Sequence, residues 1–169
     1  MDVDFWGVVN GTRAFLPHLE RSGDGHVVNV SSVFGLIAFP GQSAYNAAKF
    51  AVRGFTEALR MELELTRSCV SATCVHPGGV KTNIAKATRV HSSLADLGVD
   101  TSRANETFER NFRTTAEQAA ALMLRAVERN RRRVLVGADA QGLDLLQRLL
   151  PGAYQSVVVA LGKRGASHA

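Results

Sequence analysis

The sequence VSATCVHPGG at residues 70–79 decides the fold of this chain. Residues 70–76 form a short, largely apolar run, which is typical of a strand buried in a parallel sheet, and the proline and glycines that follow end it. Similar runs lie at residues 26–30 and 133–137, and predicted helices precede each of the three. The alternation of helix and strand predicts an α/β fold with a doubly wound parallel sheet.

Apolar periodicity predicts the helices around these strands. Residues 2–21 carry apolar side chains on more than one side, and residues 43–67 carry two apolar stripes, which indicates two packing partners. Residues 114–115 are threonines that can cap a third helix, since Glu117 and Gln118 follow at the spacing of a capping box.

The chain is predicted to form one domain over residues 1–162. Its 169 residues are 46% hydrophobic and 21% charged, a composition typical of a globular protein of about one domain. Residues 82–113 are polar and have no sustained period, so they are interpreted as a lid over the site. The tail from about residue 143 is amphipathic with a break at Pro151, and residues 163–169 are predicted to be disordered.

Composition argues against several kinds of protein. Two cysteines are too few for a disulfide framework, and the sequence has neither a signal-like start nor an apolar stretch approaching the ~20 residues of a membrane span. A cytoplasmic protein without a membrane partner is predicted. The net charge of +5 permits a polyanion partner, but the arginines of residues 125–133 close a predicted helix and have no interleaved aromatic residues. Neither nucleic-acid binding nor a metal site is predicted, since the five histidines are dispersed.

Tyr45 and Lys49 lie one helical turn apart, on one face of the predicted helix at residues 43–67. A phenol normally titrates near pH ~10, and an adjacent ammonium lowers its pKa toward the neutral range. Ser32 follows the first predicted strand and Pro77-Gly78-Gly79 follows the second. Because parallel strands present their carboxyl ends at one edge, a proton-transfer site is predicted there.

The motifs, taken together, resemble those of the short-chain dehydrogenase/reductase family of the compact, single-domain type. Tyr45-Asn46-Ala47-Ala48-Lys49 matches the family's Y-x-x-x-K, and Asn29-Val30-Ser31-Ser32 stands upstream at the family's interval. Pro77-Gly78-Gly79-Val80-Lys81-Thr82 is similar to the family's P-G-x-V-x-T segment. The resemblance covers residues 1–137 and corresponds to the C-terminal two thirds of such a protein.

The resemblance implies an oxidoreductase that uses NAD or NADP on a small carbonyl or secondary alcohol. Tyr45 would exchange a proton with the substrate oxygen, and Ser32 would hydrogen-bond the same oxygen. Ser31 would be structural. Lys49 would lower the pKa of Tyr45 and hold the nicotinamide ribose. The nicotinamide end of the cofactor would be fixed by Pro77, Gly78, Val80 and Thr82.

Asp4 departs from the family pattern. It stands where the family usually has an asparagine in the proton relay to the lysine. A carboxylate can accept the same hydrogen bonds, yet its negative charge would offset part of the positive field at Tyr45. Asp4 is therefore kept as a catalytic candidate, with a purely structural place near a helix N-terminus as the alternative.

The front of the family fold is also missing from the sequence. Family members begin with a strand, a glycine-rich turn and a helix that receives the pyrophosphate, and they then carry the residue that chooses between NAD and NADP. The resemblance thus implies a partial Rossmann-like sheet without its N-terminal strands. Because the chain could hold only the nicotinamide end of the cofactor, the isolated chain is expected to be inactive. Its unpaired sheet edge predicts that it is poorly soluble or partly molten.

Other functions stay open at this level. One is a non-catalytic remnant that keeps the helices at residues 2–21 and 43–67 as an oligomer interface; the full-length protein is expected to form a homodimer or homotetramer. Another is an epimerase or dehydratase of the same family. A hydrolase using Ser32 and His76 is disfavoured, because Ser32 lacks the G-x-S-x-G setting. Apolar Leu36, Ile37 and Phe39 favour a hydrophobic substrate.

Overall fold

The computed structural model of the chain describes residues 1–83, 92–97 and 112–166. The N-terminal helix starts as a π-helical turn, Asp2–Trp6, and continues as α1, Gly7–Ser22. Gly23 ends α1 in the left-handed conformation, with φ of 79°, which glycine adopts without strain. The next elements are β1 (Gly25–Val30), a 3-10 turn (Val33–Gly35) and α2 (Ser43–Leu65).

The second half of the chain continues the alternation. Its elements are β2 (Val70–Pro77), β3 (Val80–Lys81), a 3-10 turn (Ser92–Leu97), β4 (Thr114–Thr115), α3 (Ala116–Glu128), β5 (Arg133–Val136), α4 (Ala138–Leu149) and α5 (Tyr154–Ala166). The three predicted strands and the helices that precede them are therefore present at nearly the predicted bounds.

The main sheet has three parallel strands in the order β1-β2-β5. Strand β1 pairs with β2 from Gly25 opposite Val70 to Val30 opposite Val75, and β5 pairs with the other side of β2. The predicted α/β class with a parallel sheet is confirmed.

Two helices cover one face of this sheet. Val27 and Ala72 of the sheet form a buried cluster with Leu59 and Leu63 of α2, and Leu16 and Leu19 of α1 pack against it. Within this layer Asn29 of β1 hydrogen-bonds Thr12 of α1 at 3.3 Å and Thr56 of α2 at 3.1 Å. Buried hydrogen bonds of this kind fix both helices relative to the strand.

The opposite face is covered only in part. Helix α3 packs there through Ala119 against Val75 of β2 and Val136 of β5. On β1 the side chains of Val28 and Val30 are 37% and 42% exposed, and β1 is an edge strand of the sheet formed by the described residues. The predicted unpaired edge with exposed apolar surface is therefore present.

A second, two-stranded parallel sheet joins β3 to β4 and was not predicted. Val80 pairs with Thr114, and Lys81 pairs with Thr115. The predicted capping box of α3 is confirmed, because the Thr115 hydroxyl accepts from Gln118 N at 3.2 Å and the Gln118 side chain accepts from Thr115 N at 3.0 Å. Most of the predicted lid at residues 82–113 lies outside the described residues.

The C-terminal part differs from prediction in two places. Helix α4 begins at Ala138, directly after β5, whereas the amphipathic pattern indicated a start near residue 143. Helix α5 continues to Ala166, so the predicted disordered tail at residues 163–169 is helical in its first part. The described ranges contain no helix that combines the length and apolar character of a membrane span.

Candidate active site

The candidate residues gather at the carboxyl ends of β1 and β2. Ser31 continues directly from β1, and its backbone N donates to Val75 O at 2.8 Å, which extends the pairing of the two strands. Tyr45 and Lys49 lie in the first two turns of α2, whose contacts with β2 and with the 3-10 turn hold its N-terminus over this edge. The position agrees with the rule for open α/β sheets.

The two serines after β1 have different partners. Ser31 is buried, and its hydroxyl donates to the backbone carbonyl of Lys49 at 2.8 Å, which attaches the loop to α2. Ser32 is also buried, and its hydroxyl accepts from Phe34 N at 3.1 Å at the start of the 3-10 turn. The structure thus gives Ser31 a clear structural contact, while Ser32 faces the tyrosine.

Tyr45 is half-buried in an aromatic group with Phe34 and Phe39. The rings of Phe34 and Tyr45 meet edge to face, with centroids 6.3 Å apart and an interplanar angle of 89°. Phe34 in turn stacks on Phe39 at 5.5 Å. These contacts restrict the Tyr45 ring and fix the direction of its hydroxyl.

Lys49 lies beside Tyr45, with Nζ 5.5 Å from the ring centroid. The ammonium donates to Val30 O at 3.3 Å and lies 3.5 Å from Asp4 Oδ1. Its side chain is 11% exposed, whereas that of Asp4 is 45% exposed. The structure therefore brings together Tyr45, Lys49 and Asp4, the last from the π-helical turn before α1.

The pKa of Tyr45 is raised above its ordinary value, contrary to the expected lowering by Lys49. Burial of the phenol is the largest cause, because it penalises the charged form. Hydrogen bonding with the Ser32 side chain lowers the pKa, and the negative charge of Asp4 raises it. The physical reason for the difference is first the burial of the phenol and then the negative charge of Asp4, which both raise the pKa.

His76, at the end of β2, is hydrogen-bonded to the loop that contains Ser32. Its ring is fully buried, and Nδ1 lies 3.1 Å from the backbone carbonyl of Ser32, so Nδ1 carries the proton and donates it to this bond. Burial lowers the pKa of His76 to about 4, which keeps the ring neutral. A hydrolase with Ser32 as its nucleophile would need His76 to contact the Ser32 hydroxyl. Because His76 contacts the Ser32 carbonyl instead, the geometry argues against the hydrolase hypothesis.

The turn of Pro77, Gly78 and Gly79 after β2 is hydrogen-bonded by residues of β5 and α4. Gly78 N donates to Val136 O at 2.9 Å, and Gly79 N donates to Asp139 Oδ2 at 2.6 Å. Pro77 ends β2, Val80 begins β3, and Thr82 follows β3. Sequence patterns did not indicate Asp139, because its acidic position in the first turn of α4 is a common helix signal and gives no sign of a partner sixty residues away.

The apolar loop between the 3-10 turn and α2 only partly matches prediction. Leu36 and Ile37 are 2% and 1% exposed, so they belong to the core and cannot contact a substrate. Phe39 is 41% exposed and lines an open cleft of about 400 Å³ between this loop and α5. The cleft is fixed by Tyr154, whose hydroxyl accepts from Ala38 N at 3.1 Å.

Within residues 1–83, 92–97 and 112–166, no group of three or more His, Cys, Asp or Glu side chains is placed to hold a metal ion. The two cysteines in these ranges are both free, with Cys74 buried and Cys69 exposed. Burial raises the pKa of the Cys74 thiol to about 12, which makes it unreactive.

Several known proteins are similar to this chain in sequence. The sequence profile described as short chain dehydrogenase matches residues 1–93. SadH of Mycobacterium tuberculosis is 54% identical over 161 residues, covering 95% of this chain and 56% of SadH. Dehydrogenase/reductase SDR family member 7B of Xenopus tropicalis is 34% identical, covering 97% of this chain and 50% of that protein.

Two solved structures are also similar. A short-chain dehydrogenase/reductase from Burkholderia phymatum in complex with NAD is 27% identical with a TM-score of 0.75, covering 88% of this chain and 56% of that one. A short-chain dehydrogenase from Burkholderia cenocepacia in complex with NADP is 26% identical with a TM-score of 0.67, covering 94% and 56%. The chain spans about half the length of these relatives. On the sequence match and the shared fold, it belongs to the short-chain dehydrogenase family.

Proposed function

We propose that this chain supplies the proton-transfer part of an oxidoreductase that moves a hydride between NAD or NADP and a carbonyl or secondary alcohol. The observation that carries the proposal is the convergence of Ser32, Tyr45 and Lys49 at the carboxyl end of β1. Membership of the family, whose solved relatives include one in complex with NAD and one in complex with NADP, supports the same cofactors here.

In the proposed reaction Tyr45 is the acid or base. During reduction its hydroxyl gives a proton to the carbonyl oxygen, and during oxidation the phenolate takes the proton of the alcohol. Ser32 hydrogen-bonds the same oxygen and stabilises its developing negative charge. A nicotinamide cofactor bound here would supply or accept the hydride at the substrate carbon.

The residues present fit the nicotinamide end of a dinucleotide. Of the three N–H donors of Lys49, two have acceptors among the described residues, Val30 O and Asp4, so one remains for a ribose hydroxyl. The turn of Pro77, Gly78 and Val80, with Thr82 beyond it, lies after the neighbouring strand β2 and would hold the nicotinamide itself.

Asp4 acts on this site through Lys49. The ion pair at 3.5 Å holds the ammonium beside Tyr45. The same carboxylate adds to the raised pKa of Tyr45, after the larger effect of burial. Asp4 is thus proposed as a positioning residue that holds Lys49 in place and keeps the phenol protonated to higher pH.

The proposed substrate is a small hydrophobic ketone or alcohol. The Phe34 and Phe39 rings line the approach to Tyr45, and Phe39 continues into the open cleft beside α5. A homo-oligomer is proposed through α1 and α2, because Phe15 of α1 is 67% exposed and Met61 of α2 is 53% exposed. The same exposed residues favour the second candidate function, a non-catalytic remnant that serves as an interface.

The decisive experiment compares Tyr45→Phe with the parent in a protein extended upstream in frame, assayed for dinucleotide oxidation and reduction with a panel of ketones and alcohols. Turnover is expected to disappear while dinucleotide affinity stays nearly unchanged, because only the ionisable hydroxyl is lost. Tyr154→Phe is the matched control: it should keep proton transfer and therefore kcat, and any loss should appear in the KM for the substrate, because the Tyr154 hydroxyl fixes the cleft. Substantial activity in Tyr45→Phe would remove Tyr45 from the mechanism, and an upstream stop codon would favour the remnant.

A further inference from the structure

The carboxylate of Asp139 occupies a recess built from three glycines. Gly79 N donates to Asp139 Oδ2 at 2.6 Å. A Cβ atom on Gly78 would lie 2.1 Å from Oδ2, and one on Gly137 would lie 2.3 Å from Oδ1. A single side chain from the first turn of α4 is therefore packed against the turn that follows β2 and against the residue that follows β5.

We propose that Asp139 is a positioning residue that fixes the Pro77–Val80 turn in the shape required to hold the nicotinamide end of the cofactor. The inference rests on the proposed function and adds to it a residue from α4, outside the serine, tyrosine and lysine motifs. Asp139 acts through the turn and is not placed in contact with cofactor or substrate.

The backbone bonds of the turn support this role. Gly78 N is bonded to Val136 O at 2.9 Å, and Val80 is paired with Thr114 through the β3–β4 sheet. Gly79 lies between these two anchors, and its N–H has Asp139 as its acceptor. A bond from an amide to a carboxylate is stronger than one to a neutral acceptor, so this contact fixes the part of the turn that the sheets leave unsupported.

The glycines of the turn are required for different reasons. Gly137 has φ of +101°, a conformation that other residues rarely adopt, and a Cβ on Gly79 would lie 2.2 Å from the Phe112 ring. Gly78 lies outside the positive-φ region, and the three atoms nearest to its added Cβ all belong to the Asp139 carboxyl. Glycine at position 78 is therefore needed to admit the Asp139 carboxylate, which gives the proposal a steric test.

The first measurement is the hydrogen-exchange rate of the Gly79 amide, followed by NMR in the upstream-extended protein. In Asp139→Ala the rate is expected to rise roughly threefold to tenfold, because the amide loses a charge-assisted acceptor. Asp139→Asn keeps an acceptor oxygen and should give a smaller rise. Gln141→Ala, an exposed position on the same helix, is the matched control and should leave the rate unchanged. An unchanged rate in Asp139→Ala would overturn the proposal.

A second variant tests the same contact without removing the charge. Gly78→Ala should displace the carboxylate and raise Gly79 exchange as much as Asp139→Ala does. In the Asp139→Ala background, Gly78→Ala should have no further effect, because the obstacle is gone. Additive effects of the two substitutions would show that they act on different contacts and would contradict the proposed packing.

The last measurement separates this inference from the function it rests on. In the upstream-extended protein, Asp139→Ala is expected to weaken NAD or NADP binding about tenfold by calorimetry, as expected for the loss of one charge-assisted hydrogen bond. An unchanged dissociation constant, with the parent binding normally, would overturn this inference alone. Failure of the parent to bind either dinucleotide would overturn the proposed function, and this inference with it.

Discussion

At the scale of the residue, Asp4 contributes to the raised pKa of the candidate base Tyr45, after the larger effect of burial. Its carboxylate raises the pKa of Tyr45, so Asp4→Asn is expected to lower that pKa. In Asp4→Asn, activity in the oxidation direction, which needs the phenolate, should then appear at a lower pH than in the parent. Activity in the reduction direction, which needs the phenol, should start to decrease at a lower pH than in the parent as the pH is raised. The pH profiles of both directions provide the measurement.

The control for Asp4 is Asp2→Asn, an acidic neighbour in the same π-helical turn. It should leave both profiles in place, because Asp2 is not among the groups that shift the pKa of Tyr45. If Asp4→Asn also leaves them in place, Asp4 has a structural role only.

His76 makes the stability of the fold depend on pH. Its folded pKa of about 4 lies below the ordinary value of 6.5, so the unfolded chain binds a proton more readily. The contribution of neutral His76 to the free energy of unfolding is fully present above pH 6.5 and is lost as the pH falls toward 4. Between about pH 7 and about pH 5 the free energy of unfolding is expected to fall by about 2 kcal/mol through this group.

The measurement for His76 is urea unfolding of the upstream-extended protein at both pH values. His76→Asn keeps a donor toward the Ser32 carbonyl but does not titrate, so most of the fall should vanish in that variant. The pKa of His26 is also lowered by burial, so a smaller decrease in the free energy of unfolding should remain in His76→Asn. An equal fall in parent and variant would assign the pH dependence to other groups.

At the scale of the element, the sequence predicted what depends on local pattern. A short apolar run predicted the strand at residues 70–76, and apolar residues at helical spacing predicted the helix at residues 43–67. Both elements lie almost at the predicted bounds. The capping box at Thr115 was equally readable. Strands β3 and β4 were missed, since two residues carry no period and pair only because distant segments meet.

The same division holds for the candidate site. The position of Lys49 beside Tyr45 was predictable because residues four apart on a helix share a face, and that of Ser32 because it follows a strand at the same edge of the sheet. The catalytic roles of the three residues stay a prediction. The raised pKa of Tyr45 was not predictable, because it follows from burial and from an Asp4 charge whose distance needs coordinates. Leu36 and Ile37 were predicted to contact the substrate, whereas both are buried in the core. The sequence of an apolar loop does not show whether its side chains face the substrate or the core.

Arg60 is expected to be the polar residue on α2 that contributes most to stability. It is 7% exposed and donates to Ala72 O of β2 at 3.1 Å, to Asn130 at 2.7 Å and to Glu64 at 2.6 Å. Arg60→Met keeps much of the aliphatic length but leaves buried acceptors without a donor. The free energy of unfolding is expected to fall by about 2–3 kcal/mol, as measured by urea unfolding.

Arg53→Met is the matched control on the same helix. Arg53 pairs with Glu57 at 2.9 Å, but both side chains are substantially exposed, at 30% and 43%. Exposed pairs of this spacing contribute about 0.5 kcal/mol or less. Equal losses in the two variants would show that the contacts of Arg60 with β2 and Asn130 do not stabilise the fold.

At the scale of the whole molecule, the edge strand β1 governs solution behaviour. Val28 and Val30 are exposed on the face that α3 does not cover, and the strand has a free hydrogen-bonding edge within the described sheet. Such edges pair with other chains. The isolated chain is expected to self-associate or melt without a sharp transition, as followed by light scattering and thermal unfolding.

Val30→Lys should reduce this association, because a charge on an edge strand opposes strand addition. Leu149→Lys is the control, since Leu149 is 69% exposed at the end of α4, which packs against β5 at the opposite edge of the sheet. It should leave the scattering close to that of the parent. A monodisperse monomer with a sharp, cooperative transition in the unmodified chain would contradict the expectation.

The pairing of β3 with β4 has a consequence for how this protein can change over time. Val80 and Thr114 are neighbours in space, so the β3–β4 pairing holds together the two ends of the stretch of sequence that joins them. Joining the ends of a long connection at one place lets its length and sequence change at little cost to the rest of a fold. We therefore expect related sequences to differ more between residues 82 and 113 than in β1, β2 and α2.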